Sequence, residues 1–167
     1  MKRKVIETVT GTNAIDGAGV HLVRVLGPRT MYRFDPFLML DAFDSKNPSD
    51  YIKGFPYHPH RGIETLTYII KGKVEHADSL GNKGVIHDGE SQWMTAGSGI
   101  IHQEMPQPTA HFLGLQLWIN LPKKDKMTIP KYFDITNEMI PVVEESFGTI
   151  RVISGEYNGH KGAKGKH

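Results

Sequence analysis

The chain has 167 residues, with 20 basic and 18 acidic side chains and a formal net charge of +2 at neutral pH. This length suits one domain with its own core, and the near balance of charge gives no case for direct nucleic-acid binding. Because the chain contains no cysteine, disulfides, a thiolate metal site and a cysteine nucleophile are all excluded.

The N-terminal stretch MKRKVIETVTGTNAIDG is basic, but it lacks the apolar core of a signal peptide. No segment approaches the roughly 18 apolar residues that a membrane-spanning helix requires. We therefore expect a cytoplasmic protein that does not associate with membranes.

Short apolar or β-branched runs recur along the chain between turn residues. In LGLQLWINL, residues 113–121, the leucines and the isoleucine occupy alternate positions, and this period of two is typical of a strand. A hairpin loop is expected at 78–84, and short helical turns near 134–139. Short strands at regular spacing predict an all-β fold, either a sandwich or a small barrel. Seven runs are predicted to be strands: 20–27, 64–72, 73–79, 91–96, 99–105, 113–121 and 149–155.

Two pairs of polar residues, each spaced i and i+2, are candidates for a functional site. On a strand, residues i and i+2 point to the same side, so His58 and His60 converge while Pro59 points away. A proline cannot donate to a strand ladder, which places this pair at a strand start or an edge. His102 and Glu104 repeat the arrangement. Two such strands facing one another inside a barrel supply three imidazoles and one carboxylate, a donor set for a divalent transition metal with positions left for exchangeable ligands.

The metal interpretation competes with a plainer one. A single buried histidine is more often a structural core residue than a ligand, and one such pair is weak evidence. Two pairs strengthen the interpretation, because buried imidazoles and a carboxylate without partners are costly. Glu64 shares the parity of His60, which leaves three roles open: a fifth ligand, a partner supporting the ligands, or a residue at the barrel rim. The remaining histidines lack such a partner and are expected to be surface or structural: His21, His76, His87, His111, His160 and the terminal His167.

Several longer segments resemble known sequence motifs. GFPYHPHRGIETLTYIIKG (54–72) resembles the first cupin motif and DGESQWMTAGSGIIHQEMP (88–106) the second. A narrower resemblance, to the pirin family within the cupin superfamily, is carried by DPFLMLDAF (35–43), HPHRGIET (58–65), QWMTAGSGIIHQEMP (92–106), LGLQLWINLP (113–122) and VISGE (152–156).

The resemblance to pirins implies a jelly-roll-like cupin barrel, single here, which corresponds to the N-terminal half of a double cupin. It implies one iron held by His58, His60, His102 and Glu104, the same set that strand parity brings together. Fe(II) rests on the resemblance alone, since the donor set also suits Mn, Ni, Co and Zn. In many plain cupins the glutamate at the position of Glu64 binds the metal, whereas in pirins Glu104 takes that place, so Glu64 is expected to support the ligands.

Pirins are similar to quercetin 2,3-dioxygenases, which implies a flavonol-like aromatic substrate, O2, and Glu104 as the catalytic base. The alternative is a non-catalytic regulatory protein in which the redox state of the iron alters a surface that contacts another protein. Trp93, Met94 and Phe55 lie near the motifs and either hold the substrate rings or, as we favour, form ordinary core. Arg61 points away from the metal by parity and is expected to form a structural ion pair.

We divide the chain into a pirin-type cupin domain, residues 1–157, and a basic segment, 158–167. This segment is expected to be a flexible tail or a truncated linker to a missing second cupin. The absence of that half would expose a normally covered face, which favours self-association or a protein partner.

Overall fold

Short β-strands account for almost all regular structure in the computed structural model, which describes residues 4–163. The strands are β1 (Thr12–Asp16), β2 (Val20–Leu26), β3 (Phe37–Ser45), β4 (Phe55–His60), β5 (Ile63–Lys71), β6 (Val74–Asp78), β7 (Lys83–Ile86), β8 (Ser91–Thr95), β9 (Ile100–Pro106), β10 (Phe112–Asn120), β11 (Lys131–Ile135), β12 (Val142–Glu145), β13 (Gly148–Arg151), β14 (Glu156–Tyr157) and β15 (His160–Lys161). Three-residue 3-10 helices lie at Pro48–Asp50, Lys123–Asp125 and Asn137–Met139.

Two antiparallel sheets form the barrel. The larger has seven strands in the order β1-β2-β3-β10-β5-β8-β11, and the smaller has four in the order β4-β9-β6-β7. Two further hairpins, β12-β13 and β14-β15, follow at the C-terminal end. Closing two antiparallel sheets over one interior is the jelly-roll solution to unpaired strand edges. The predicted all-β cupin architecture is confirmed.

The predicted period of two is also confirmed, and the structure shows which side of each strand faces inward. On β10 the inward side carries Phe112, Gly114 and Gln116, which are buried, whereas the alternating leucines on the outer side are only partly covered. On β5 the inward side carries Thr65, Thr67 and Ile69. The expectation that an outer face is covered by a second copy or a partner stays a prediction.

An aromatic cluster fills one end of the interior. Phe112 lies between Phe43 and Tyr51, with ring centroids 5.5 Å and 4.7 Å away respectively. Phe55 meets Phe43 edge to face at 6.1 Å. Aromatic pairs at these distances contribute packing energy beyond the area they bury. Since Phe55 begins β4, this cluster anchors the strand that also carries His58 and His60.

The seven predicted strands correspond to β2, β5, β6, β8, β9, β10 and β13, and the predicted loop at 78–84 connects β6 to β7 as a hairpin. The helical turns expected near 134–139 are reduced to the 3-10 helix at Asn137–Met139, because β11 extends to Ile135. The proposed division after residue 157 falls at the turn between β14 and β15, and His167 lies outside the described residues. Within residues 4–163, no helix is long and apolar enough to cross a bilayer.

Candidate metal centre

Three histidines meet inside the barrel on two neighbouring strands. β4 carries His58 and His60, and β9 carries His102, which stands directly opposite His58 in the antiparallel ladder. One ring nitrogen from each histidine lies within 4.8 Å of the others. The ring centroids are 4.5 Å apart for His58 and His102, and 5.0 Å apart for His60 and His102.

The route by which the pairs meet differs from the expectation. The prediction has the two strands facing one another inside a barrel, whereas β4 and β9 are hydrogen-bonded neighbours within the four-stranded sheet. Residues directly opposite in an antiparallel ladder have Cβ atoms about 5 Å apart. The same i and i+2 parity therefore brings the histidines together, through pairing in one sheet.

The hydrogen bond at one ring nitrogen of His58 directs the lone pair of its other ring nitrogen into the cluster. His58 Nδ1 lies 2.8 Å from the carbonyl oxygen of Pro56. Donation of its N–H to that carbonyl fixes the tautomer in which Nε2 carries the lone pair. That Nε2 lies 3.0 Å from Nε2 of His60. Two nitrogens that each lie about 2 Å from the same ion are separated from one another by a distance similar to that between these two Nε2 atoms.

His102 provides the test of whether the site suits a metal. The residue is fully buried, and neither of its ring nitrogens has a hydrogen-bond partner within the described residues. Unpartnered buried polar atoms of this kind are rare, because the lost hydration is not replaced. Binding of a divalent ion removes that cost, so the three imidazoles fit a resident metal.

The protonation state of the cluster also fits. Burial, with the neighbouring His102 and His58, lowers the pKa of His60 to about 4. Burial likewise lowers the pKa of His102. Both rings are therefore neutral near pH 7, which is the form of imidazole that binds metals.

Glu104 lies beside the histidine cluster and is held by two donors. It follows His102 on the same face of β9 and is buried. Thr67 Oγ1 donates to Oε1 at 2.7 Å, and Gln116 Nε2 donates to Oε2 at 2.7 Å. Both donors come from the opposite, seven-stranded sheet. Each carboxylate oxygen keeps a further lone pair with which it could bind a metal. The two donors already orient the carboxylate, and the role of Glu104 as fourth ligand stays a prediction.

The charge of Glu104 is stabilised despite its burial. Burial raises the pKa of this carboxyl, but His102 and the hydrogen bonds from Thr67 and Gln116 act the other way, and the net pKa is lowered. Donors aimed at a carboxylate favour its ionised form. Glu104 is therefore an anion at neutral pH, the form needed both to bind a cation and to accept a proton.

A cavity of about 640 Å³ opens onto His58 and His60. The walls include apolar side chains from four strands, β3, β4, β5 and β10, and Arg61 lines the cavity from the turn after β4. Trp118 on β10 meets His60 edge to face with centroids 4.9 Å apart. This volume is in the range of small-molecule sites. The larger apolar side chains that line it are Leu38, Met39, Phe55, Ile63 and Trp118.

The structure distinguishes between the roles that the sequence left open for Trp93, Met94, Phe55 and Glu64. Trp93 and Met94 are buried in two different apolar clusters and form ordinary core, whereas Phe55 lines the cavity. Glu64 lies on the opposite face of β5 from Thr67 and accepts a hydrogen bond from Thr95 at 2.6 Å. It is not part of the histidine cluster, because the turn between β4 and β5 interrupts the parity with His60.

The ion pair expected for Arg61 is not among those formed by the described residues. Its guanidinium group instead donates to Met127 Sδ at 3.5 Å, and the residue lines the cavity rim. His76 is structural, as expected: it is buried opposite Glu104 on β6, and its Nε2 lies 3.1 Å from Asp134 Oδ2.

Three residues that contact the site were missed in the sequence: Thr67, Gln116 and Trp118. All three lie on β5 and β10 of the other sheet, so only the closed barrel brings them to the histidines. A signal was present in LGLQLWINL, where a glutamine and a tryptophan alternate with the leucines. Gly114, Gln116 and Trp118 share one face of this strand. A polar side chain between a small and an aromatic residue on one face indicates that the face lines a functional site.

An antiparallel β-barrel with a histidine cluster on two adjoining strands, whose rings face the interior, defines the class of this protein as a cupin. The family model described as Pirin matches residues 19–119, well over half of the chain. The chain belongs to the pirin family.

Similar proteins and solved structures support this family assignment. A Pseudomonas aeruginosa protein, provisionally named as a quercetin 2,3-dioxygenase, is 51% identical over 158 residues, covering 93% of this chain and 55% of that protein. A quercetin 2,3-dioxygenase structure from Acinetobacter baumannii superposes with a TM-score of 0.84 at 37% identity, covering 95% of this chain and 59% of that one. The nickel(II) complex of a bacterial pirin from Escherichia coli gives 0.57 at 32% identity, covering 74% of this chain and 53% of that one. The chain thus spans little more than half the length of these relatives.

Proposed function

We propose that this protein is a mononuclear metal dioxygenase that opens flavonols such as quercetin with O2. One observation carries the proposal: two of the three clustered histidines, His58 and His60, line a mainly apolar cavity large enough for a small aromatic molecule, and an ionised carboxylate lies beside the cluster. Similarity to the Acinetobacter baumannii quercetin 2,3-dioxygenase, and to the Pseudomonas aeruginosa relative provisionally named for the same reaction, supports this activity.

His58, His60 and His102 would hold the metal, with Glu104 as fourth ligand. Iron is the metal we propose, and the nickel-bound relative supports a single transition-metal site. When bound there, the metal would lower the pKa of a substrate hydroxyl and would supply the redox chemistry for the reaction with O2. Both oxygen atoms enter the ring-opened product, and one ring carbon leaves as carbon monoxide.

The protein's own contribution begins with Glu104, which accepts the proton of the flavonol 3-hydroxyl as general base. Thr67 and Gln116 hold its two oxygens, so the carboxylate meets the substrate in one orientation. Trp118 and Phe55 provide flat apolar walls against which aromatic rings stack and from which water is excluded.

The test is to incubate iron-loaded protein with quercetin in air, follow the flavonol absorbance band, and assay carbon monoxide. We expect turnover that is lost in His58→Ala and in Glu104→Ala. His87→Ala, which removes an exposed histidine far from the cluster in sequence, serves as the control and retains activity. Elemental analysis of the same samples shows whether the site is filled. A filled site without turnover would contradict the dioxygenase and favour a regulatory pirin.

A further inference from the structure

The turn between β1 and β2 closes one side of the cavity. Asp16, Gly17 and Ala18 all line it. The amide of Ala18 donates to the carbonyl of Gly54 at 3.0 Å. Gly17 has φ of +57°, and a Cβ there would lie 2.6 Å from the Gly54 carbonyl oxygen. The turn is therefore fitted closely onto the start of β4, the strand that carries two of the histidines.

The carboxylate of Asp16 is fixed at this turn. Oδ1 accepts the amide of Gly17 at 2.7 Å, and Oδ2 accepts Arg24 Nη2 at 2.6 Å. Arg24 is itself immobilised, because its Nε and Nη2 donate to the two oxygens of buried Asp41 at 2.9 and 2.8 Å. The Asp16 side chain nevertheless remains 49% exposed, so a fixed carboxylate is accessible at the cavity wall.

Asp16 can only accept hydrogen bonds. Partial burial raises the pKa of its carboxyl, but the hydrogen bonds from Arg24 and Gly17 and the charge of Arg24 outweigh this, and the net pKa is lowered. An ionised carboxylate has about four lone-pair sites, and two are used by Gly17 and Arg24. The remaining sites suit hydroxyl donors on a molecule inside the cavity.

We propose that Asp16 is the specificity-determining residue of this cavity, accepting a hydrogen bond from a phenolic hydroxyl on the part of the substrate that does not bind the metal. The inference rests on the proposed function and narrows its substrate class. Flavonols with hydroxylated rings are preferred to the unsubstituted flavonol, because only they supply the donor. A substrate with a carboxylate in that place is disfavoured, since two anions would face each other.

The test measures binding separately from turnover. Zinc-loaded protein, without O2, is equilibrated by dialysis with quercetin or with 3-hydroxyflavone, which lacks all other hydroxyls. We expect Asp16→Ala to raise Kd for quercetin about tenfold, as for loss of a charge-assisted hydrogen bond. Kd for 3-hydroxyflavone should change by less than about twofold, because its contacts are apolar and metal-directed. The Arg24–Asp41 pair remains in this variant and preserves the fold, which thermal unfolding verifies.

Asp88 provides a matched control outside the cavity. It too accepts one backbone amide and one cation, from Gly72 at 2.7 Å and Lys71 at 2.8 Å, and is 52% exposed. Asp88→Ala should leave both Kd values unchanged. Equal weakening of both ligands by Asp16→Ala, or no weakening, would overturn the inference while leaving the dioxygenase intact. Selective quercetin binding with no turnover by iron-loaded protein would instead overturn only the dioxygenase.

Discussion

His58 and His102 stand opposite each other on β4 and β9, with ring centroids 4.5 Å apart. This pair makes the metal centre a property of strand pairing, because a one-residue slip of β9 would turn His102 to the outer face. His60 completes the cluster from the same strand as His58. The pairing register of β4 and β9 therefore determines whether the three histidines meet.

Removal of the central imidazole should abolish metal binding. In His102→Gln we expect affinity for zinc or nickel to fall by at least about 100-fold, since a direct ligand is lost rather than a supporting contact. Calorimetric titration of metal-free protein measures this. His111→Gln is the matched control, because His111 pairs with Asp44 at the surface. Wild-type affinity in His102→Gln would show that the cluster does not bind the metal.

Loss of one donor to Glu104 should change the pH dependence of turnover. Thr67→Val replaces the hydroxyl that donates to Glu104 with a methyl group of similar size. Because a donor to a carboxylate lowers its pKa, its removal raises the pKa of Glu104, and the acidic limb of the kcat/KM profile should move to higher pH. Thr65→Val, on the same inward face of β5, should leave the profile in place. An unshifted limb in Thr67→Val would argue against Glu104 as the base.

The metal-free protein should lose stability as the pH falls through the titration of its buried histidines. The pKa of His60 is about 4 when folded, against an ordinary 6.5, so between these values the unfolded chain binds more protons. Stability therefore rises with pH across this window and is fully present above pH 6.5, with at most about 3 kcal/mol from this group. Urea unfolding at pH 7.5 and 5 measures the difference. His60→Gln should show a smaller difference, and an equal one would contradict the assignment.

Addition of one methyl group at Gly84, next to the His76–Asp134 contact, should lower the stability of the fold. A Cβ on Gly84 would lie 2.5 Å from Asp134 Oδ2 and 2.6 Å from His76 Nε2. Gly84→Ala should therefore separate this partly buried pair and lower the free energy of unfolding by about 1–3 kcal/mol. Gly27→Ala is the comparison, because its nearest neighbours are the flexible methylenes of Arg24, at 3.1 and 3.4 Å. Equal stability of the two variants in urea would show that the His76–Asp134 contact is dispensable.

Strand parity was sufficient to place His58 and His60 on one face, and His102 and Glu104 on another, because i and i+2 geometry is local. The meeting of the two pairs depends on the pairing of β4 with β9. The partners of these residues could not be found in that way. Gln116 reaches Glu104 only because β10 lies across the interior from β9, and this depends on the order of strands in two sheets. Strand β1 was missed because its residues are mostly exposed and show no apolar alternation. Its role at the cavity follows from the turn that it forms with β2.

The placement of the two indole rings gives the protein a built-in optical reporter. Trp118 stands 4.9 Å from His60, whereas Trp93 is enclosed with Ile135 and Ile140 in a separate cluster. Light emitted by Trp118 should be quenched when a paramagnetic ion occupies the centre, while the emission of Trp93 changes less. A fluorescence titration of the unlabelled protein can therefore follow occupancy of the site in solution, without any substrate present.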